Sequence, residues 1–383
     1  MLVPILAAIT IHWDFEGGAL AKAESTGQSH FRAHLAGQTD QDGRNRQANW
    51  YYFRIDGAKG KDVVVDLVNL PGEYNYKANR GAVTKDTVPV WSEDQRTWTY
   101  FDATEYDAAE PRLRLRATPR SNRFWIAHVP PYTLATLDAL MSRAVPHPHF
   151  RKSVIGTSVE GRDLYLATIT DPAAKAAKSI WLMFRQHCWE TGSSFAGEGA
   201  IDFLLSDAAA ALRREFVFQI LPAADPDGLV HGAVRFNRHG FDLNRNWDVE
   251  DPAKMPEISA QRSAMFAWLD GGHTLDIFLS LHNTETSEYL EGPPNPDGAA
   301  LLSRVFASLK ANSTFAPTRP AFAAEATTTA GKVGRMTVNQ GLWRDRRINA
   351  FLIEQRIDTK PSIAQRKEFG AGLVRALAAA VRR

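Results

Sequence analysis

The sequence predicts an antiparallel β-sandwich over residues 1–130, followed by an α/β domain with a mixed sheet over residues 131–383. Three observations carry this expectation. Up to about residue 130, short alternations of apolar and polar residues follow one another between polar turns, with no segment of helical period among them. Pro130-Pro131 then breaks the pattern, since successive prolines lack the donors a strand needs. Beyond it, runs apolar on both faces alternate with amphipathic helical segments, as buried parallel or mixed strands joined by helices do.

In the first part the strand candidates are Phe31 to Leu35, Trp50 to Ile55, Asp62 to Leu67, Val88 to Trp91, Trp98 to Phe101, Leu113 to Ala117 and Phe124 to Ala127, with turns at Asp56-Gly57 and Pro71-Gly72. The run Leu2 to Ile9 reads as a first strand leading into Ile9 to Trp13. A remnant of a secretory signal is the alternative, which would make the protein periplasmic or secreted instead of cytoplasmic. Thr133 can cap a helix over Leu134 to Ala144. Val154 to Ile169 reads as a hairpin around Glu160-Gly161-Arg162. Buried strands follow at Ile180 to Phe184, Phe216 to Leu221, Leu275 to Leu281 and Ala350 to Ile353. Helices are expected at Phe195 to Leu205, Ile258 to Leu269 and Ser362 to Val381. The Ala- and Thr-rich piece Phe322 to Ala330 reads as a loop or a frayed helix.

With 383 residues, 44% hydrophobic and 23% charged, the chain has the composition of a globular protein with a sizeable core. A net charge of +2 argues against a nucleic-acid partner, which usually requires a strongly basic face. No run is long enough to span a bilayer, so no membrane partner is expected. The single cysteine, Cys188, excludes intrachain disulfides and thiolate metal clusters, so any metal must be held by His and carboxylates. Nothing in the sequence sets the oligomeric state.

Candidate metal ligands stand just past the strands. His187 and Glu190 lie on the turn between the strand ending at Phe184 and the following helix, where open α/β sheets place active sites. The imidazole suits zinc and the carboxylate adds charge. Alone, the pair is weak evidence, and a polar surface turn explains it equally well. His282 ends another apolar run, so a third ligand can reach the same rim; a capped strand-end histidine is its plainer reading. Glu354 terminates Phe351-Leu352-Ile353, and a carboxylate there must be paired or reach a polar cleft. Salt bridging to Arg356 or Arg347 is the competing explanation. Between these lies Arg235 to Trp247, with three Arg and three Asn in thirteen residues, either a carboxylate-gripping loop or a solvated one.

In sequence order these elements are His187-x-x-Glu190, Asp225-Pro226-Asp227-Gly228, Asp242-Leu243-Asn244-Arg245-Asn246-Trp247, a strand ending in His282, and a strand ending in Glu354. This order resembles the zinc carboxypeptidases, or metallocarboxypeptidases. The aromatic-rich first domain with Trp50-Tyr51-Tyr52-Phe53-Arg54, joined through Pro131-Tyr132-Thr133, is similar to the cytosolic carboxypeptidase branch. The resemblance implies an α/β/α carboxypeptidase-like catalytic domain carrying one Zn2+ per chain on His187, Glu190 and His282. It implies that Glu354 is the general base and later the proton donor, and that Arg235 stabilises the oxyanion. Asn244 and Arg245 would grip the substrate's terminal carboxylate, and peptide or protein C-termini would be cut by zinc-activated water.

Three departures from the family stand out. Trp189 occupies a position where digestive relatives have arginine and the cytosolic branch usually glycine. Asn283-Thr284-Glu285 follows His282 instead of a Gly- or Ser-containing sequence. No tyrosine occurs after Tyr289 to match the family's mobile tyrosine, for which Trp343 is a conceivable substitute. Lys332, Arg335, Arg344, Arg346 and Arg347 precede Glu354 in the segment that forms the specificity pocket of relatives, which implies an acidic preference. Two other functions remain open at this stage: an amidohydrolase of N-acyl amino acids, and an inactive relative serving as a binding module.

Overall fold

The computed structural model describes residues 8–382 apart from 44, 75–76, 80–82, 175–176, 295–297 and 326–333. The strand expected to begin at Leu2, most of the Ala- and Thr-rich piece, and Lys332 therefore lie largely or wholly outside the described residues. The chain divides into two compact units, Met1–Pro131 with Leu229–Val234, and Tyr132–Gly228 with Arg235–Arg383. No helix among the described residues is long and apolar enough to cross a membrane.

The first unit is built on two five-stranded sheets. One runs Thr10–His12, Tyr52–Asp56, Arg123–Ala127, Val90–Ser92, Thr99–Tyr100; the other runs Glu105–Asp107, Arg112–Ala117, Val63–Val68, His30–His34, Lys22–Ser25. Period-two alternation explains the core directly. Leu113 and Leu115 are buried with Phe53, Ile55, Val65, Leu67, Phe124 and Ile126, while the intervening Arg112, Arg114 and Arg116 point the other way. One pair departs from the antiparallel pattern: His30–His34 runs parallel to Val63–Val68. The chain between them first contributes Tyr52–Asp56 to the other sheet, and a long crossover of that kind permits parallel pairing where a tight hairpin would not.

On the second of these sheets Asp66 is almost fully buried under Arg114, whose Nε and Nη2 donate to its two oxygens at 2.7 and 2.9 Å, while His30 Nε2 lies 2.9 Å from Oδ2. Burial pushes this carboxyl's pKa up, but the hydrogen bonds from Arg114 and His30 outweigh it and the net shift is downward. Such a group stabilises the fold above its unfolded pKa and loses that contribution as pH falls through the lower folded value. Asp66→Ala is expected to cost about 2–3 kcal/mol in urea unfolding. The acid-side decline of the unfolding midpoint below about pH 4 should be shallower in this variant; an unchanged profile would assign Asp66 no role.

The second unit has one eight-stranded mixed sheet in the order Phe150–Thr157, Asp163–Ile169, Phe216–Leu221, Lys178–Phe184, Ile277–Thr284, Ala350–Arg356, Tyr289–Gly292, Phe322–Ala323. The four strands from Phe216–Leu221 to Ala350–Arg356 are parallel and nearly all buried, as their apolar runs require. The expected hairpin is present as the antiparallel pair Phe150–Thr157 and Asp163–Ile169. Helices Thr191–Leu205, Ala299–Asn312 and Ile363–Arg382 pack together, while Pro256–Asp270 and Val338–Arg346 share a core with Trp181, Met183 and Phe278. After Lys178–Phe184 the next strand of the sheet is added on one side and the following one on the other. The end of Lys178–Phe184 is thus a topological switch point, where a crevice opens at the carboxyl ends of the strands.

Candidate functional site

His187 and Glu190 leave the switch-point strand on a turn held from within. Arg185 has φ +56°, a left-handed conformation costly for a residue with a side chain, and its guanidinium is fully buried. Its Nε donates to the Cys188 carbonyl at 2.7 Å and its Nη1 to Ser194 Oγ and the Tyr132 carbonyl. Burial lowers the Arg185 pKa to about 10, which leaves the cation intact. Gln186 Nε2 reaches the Leu243 carbonyl at 2.6 Å, joining this turn to the Arg235–Trp247 loop.

Three strand ends then converge. The ladder pairs Phe184 with Leu281, and His282 with Glu354, so His282 and Glu354 project from the same face of adjacent strands. His187 Nδ1 lies 2.7 Å from Glu190 Oε1, and His282 Nδ1 lies 3.0 Å from Glu190 Oε2. The two imidazole centroids are 5.0 Å apart. Although close to His282 Nδ1, Glu190 Oε2 has no partner of hydrogen-bonding geometry, and neither His282 nitrogen has one. Buried polar atoms left unpaired at the same spot are expensive, and one divalent cation satisfies them together. Among the described residues His187, Glu190 and His282 form a group whose ligand atoms lie within 4.8 Å of one another, and these three can hold a metal ion.

The electrostatics agree. Burial pushes the Glu190 carboxyl up, but the imidazoles of His187 and His282 outweigh it and keep it ionised. Burial lowers the His282 pKa against the pull of Glu190, favouring the neutral imidazole that a metal requires. Glu354, at the half-buried strand end, is held well above the usual carboxylate range by burial and by the Glu190 charge. Its Oε2 has no hydrogen-bond partner. Arg356 is paired with Asp358 instead, and Arg347 lies over Trp343, so the salt-bridge explanation for Glu354 fails.

The Arg235–Trp247 loop is a folded element and not a solvated run. Asn237 Oδ1 accepts the backbone N–H of His239 and Phe241, and its Nδ2 donates to Glu257 Oε2 at 3.0 Å. Asp242 is thereby placed over the site. Its Oδ1 lies 3.1 Å from His187 Nε2 and accepts the Asn244 N–H at 2.9 Å, and its Oδ2 accepts from Arg235 Nε at 2.7 Å. Burial would raise the Asp242 pKa, but Arg235 and His187 hold it well below normal. A carboxylate on the far nitrogen of a ligating imidazole fixes its tautomer and direction. Asp242 carried no role in the sequence reading, although it stands directly before the Leu243-Asn244-Arg245 stretch that did. Asn244 Oδ1 accepts the Val338 N–H at 3.0 Å, which orients its amide, and Arg245 Nη1 donates to the Asn244 carbonyl. The structure therefore brings His187, Glu190, His282, Glu354, Arg235, Asn244 and Arg245 into one region of the second unit.

The departures noted in the sequence acquire positions. Asn283 points to the opposite face from His282, accepting the Ser193 N–H at 3.1 Å and donating to the Gln355 carbonyl. It braces the ladder and does not line the cleft. Trp189 is buried. Tyr289 is paired across the ladder with Glu354 and is the tyrosine nearest to it in register.

A second acidic group, Asp225, Asp227 and Glu257, is also buried, but its carboxylates take donors from Gly228, from Ser158, Arg162 and Glu160, and from Val159 and Asn237. It anchors the hairpin turn and the loop. Burial raises the Asp225 pKa to about 7. Beside it the buried Cys188 thiol is pushed well above its normal range, first by burial and then by Asp225. The Cys188 thiol is expected to resist a disulfide reagent such as DTNB in the native protein and to react fully in urea. Rapid native labelling would contradict the packing described here.

A parallel-centred sheet presenting two imidazoles and a carboxylate at its strand ends, beside a second carboxylate and two arginines, defines a metal-dependent hydrolase of the peptidase type. The zinc carboxypeptidase family model matches residues 136–290, and the model of the cytosolic carboxypeptidase N-terminal domain matches residues 11–129. Together they span most of the chain, which belongs to the zinc carboxypeptidase family. An uncharacterized protein of Zymomonas mobilis is 28% identical over 299 residues, covering 76% of this chain and 73% of that protein. Mouse cytosolic carboxypeptidase 6 is 27% identical over 288 residues, covering 71% of this chain and 52% of its own length; the chain thus spans about half of that relative. The crystal structure of a metallo-carboxypeptidase from Burkholderia cenocepacia has a TM-score of 0.84 over 98% of this chain and 99% of that one, at 21% identity, and shows the same fold.

Proposed function

We propose that the protein is a cytoplasmic zinc carboxypeptidase that removes the terminal residue of peptides or proteins, with one Zn2+ held by His187, Glu190 and His282. The observation that carries this reading is the convergence of those three side chains with Glu354 directly across the ladder from His282. Zinc in such a site supplies Lewis acidity, polarising a carbonyl and lowering the pKa of water to about 7.

The chain's own residues do the rest. Glu354, directly across the ladder from His282, accepts the proton of the attacking water and returns it to the leaving amine. Arg235, anchored through Nε to Asp242, places a fixed cation where negative charge builds on the scissile carbonyl oxygen. Arg245 and the Asn244 amide take the substrate's free carboxylate, which makes the enzyme an exopeptidase. Asp242 holds His187 in the ligating orientation.

The acidic preference expected from the arginines before Glu354 finds little support in their surroundings. Arg346 forms a two-pronged pair with Asp270, and Arg344 pairs with Asp345. Arg347 lies over Trp343.

Mass spectrometry of a mixed peptide pool tests the reading. Residues should leave from the C-terminus only, release should stop with a chelator, and zinc should restore it. Glu354→Gln is expected to abolish release while zinc content by atomic emission stays at the wild-type level; retained turnover would remove Glu354 from its role. Asp242→Asn should weaken zinc affinity by about 10–100-fold in chelator competition, as loss of a ligand-orienting carboxylate does.

A further inference from the structure

The row of side chains below the candidate site is unusually rich in acceptors. Ser280 and Glu291 both pair in register with Leu352, two residues before Glu354, so the three lie side by side on the face that carries His282 and Glu354. Two residues along a strand is about 7 Å. In the proposed binding mode, with the terminal carboxylate at Arg245 and the scissile carbonyl beside Glu354, this row, two residues along the ladder from Glu354, is what the terminal side chain would meet. Here Glu291 Oε1 accepts from Asn339 Nδ2 at 3.2 Å, and no cation lies within ion-pair distance of Glu291 among the described residues. Asn339 is fully buried and its Oδ1 has no partner; the buried Ser280 hydroxyl has none either. Burial pushes the Glu291 carboxyl up, against Asn339, Arg245 and Arg319. Glu291 in turn raises Glu354, so the two carboxylates share one electrostatic environment, with Arg245 acting on both.

This row offers a carboxylate with a single neutral donor and an amide oxygen with none, and lysine and arginine side chains bring donors only. An acidic side chain would set like charges together, and an aliphatic one would leave the Asn339 oxygen unpaired and the Glu291 charge without a cation at this row. We infer that Glu291, with Asn339, reads the terminal side chain and selects substrates ending in lysine or arginine. This rests on the carboxypeptidase reading, and it assigns the preference to an acidic residue on the short strand Tyr289–Gly292 instead of to the arginines before Glu354.

The test compares kcat/KM of the zinc-loaded protein on peptides that differ only in a final Arg, Lys, Leu or Glu, and adds calorimetric binding of free L-arginine and L-glutamate. Arg and Lys should exceed Glu by about 30-fold or more, as expected when a buried charge gains or lacks its partner. Glu291→Gln should collapse that ratio, and Glu291→Arg should shift it toward Glu. L-Arginine should bind more tightly than L-glutamate to the wild type, and this difference should shrink in Glu291→Gln. If Glu- or Leu-terminated peptides are cut as well as Arg-terminated ones, the inference falls while the carboxypeptidase reading stands. If no peptide is cut, that reading falls, and L-arginine binding no tighter than L-glutamate would overturn the inference as well. Should either variant fail to fold, the wild-type comparison still decides.

Discussion

The register of three parallel strands is the constraint on which the second unit depends. Ile277–Thr284 and Ala350–Arg356 end at the same level, three residues beyond the pairing of Phe184 with Leu281 at which Lys178–Phe184 ends, and the pairing of His282 with Glu354 follows from hydrogen bonds spaced along buried, apolar strands. Because side chains alternate, a slip of one residue would turn His282 away and bring Asn283 into the cleft. The register is secured on the other face by Asn283, which ties the helix beginning at Thr191 to the Gln355 carbonyl. The helix side of the sheet thus fixes the geometry of the cleft side.

That geometry gathers Glu190, Asp242, Glu354 and Glu291 within one region. Hydrogen bonds and ion pairs account for Asp242 completely, since Arg235, His187 and the Asn244 N–H occupy its oxygens. They do not account for Glu190 Oε2, for Glu354 Oε2 or for either nitrogen of His282. A fold does not retain such atoms in its interior for stability, because each forfeits a hydrogen bond to water. In the proposed reading these unpaired atoms, clustered at one spot, are the ones that cation, water and substrate would complete, whereas the fully paired Asp225, Asp227 and Glu257 group is a brace.

Much of this was legible in the sequence wherever the signal was periodic or terminal. The helix Leu134–Ala144 has the bounds that Thr133 and the apolar spacing indicate, and the strand Phe216–Leu221 matches its apolar run. The ligand candidates were readable because His187 and Glu190 lie on the turn after one apolar run and His282 ends another, where a charged group is conspicuous. Less legible were elements whose conformation is imposed from outside. Val338–Arg346 contains Gly341 and three charged residues and has little apolar periodicity. It is held as a helix by the Thr337–Gln340 capping box and by Trp247, against which only a glycine fits at 341. Tyr289–Gly292 is four residues long with Glu291 inside it, and only the neighbouring ladder makes it a strand. The parallel pair in the first unit was hidden for a related reason, since pairing direction depends on the route of the intervening chain.

The two elements least visible in the sequence are the ones that supply Glu291 and Asn339, and this division has a physical basis. In the proposed reading, the residues that bind metal or move protons sit on long central strands, as His282 and Glu354 do, or on the turn directly after one, as His187 and Glu190 do. Glu291 and Asn339, proposed to meet the terminal side chain, sit on a short strand one in from the edge of the sheet and on a polar helix pinned by a few specific contacts, such as Val338 N–H on Asn244 and Gly334 N–H on Asp248. Changing Glu291 leaves the His282–Glu354 ladder, the Asp242 network and the Asn283 brace with all their partners. Substrate choice can vary in this architecture without rebuilding the site that performs the reaction, because the two are carried by segments of different structural debt to the core.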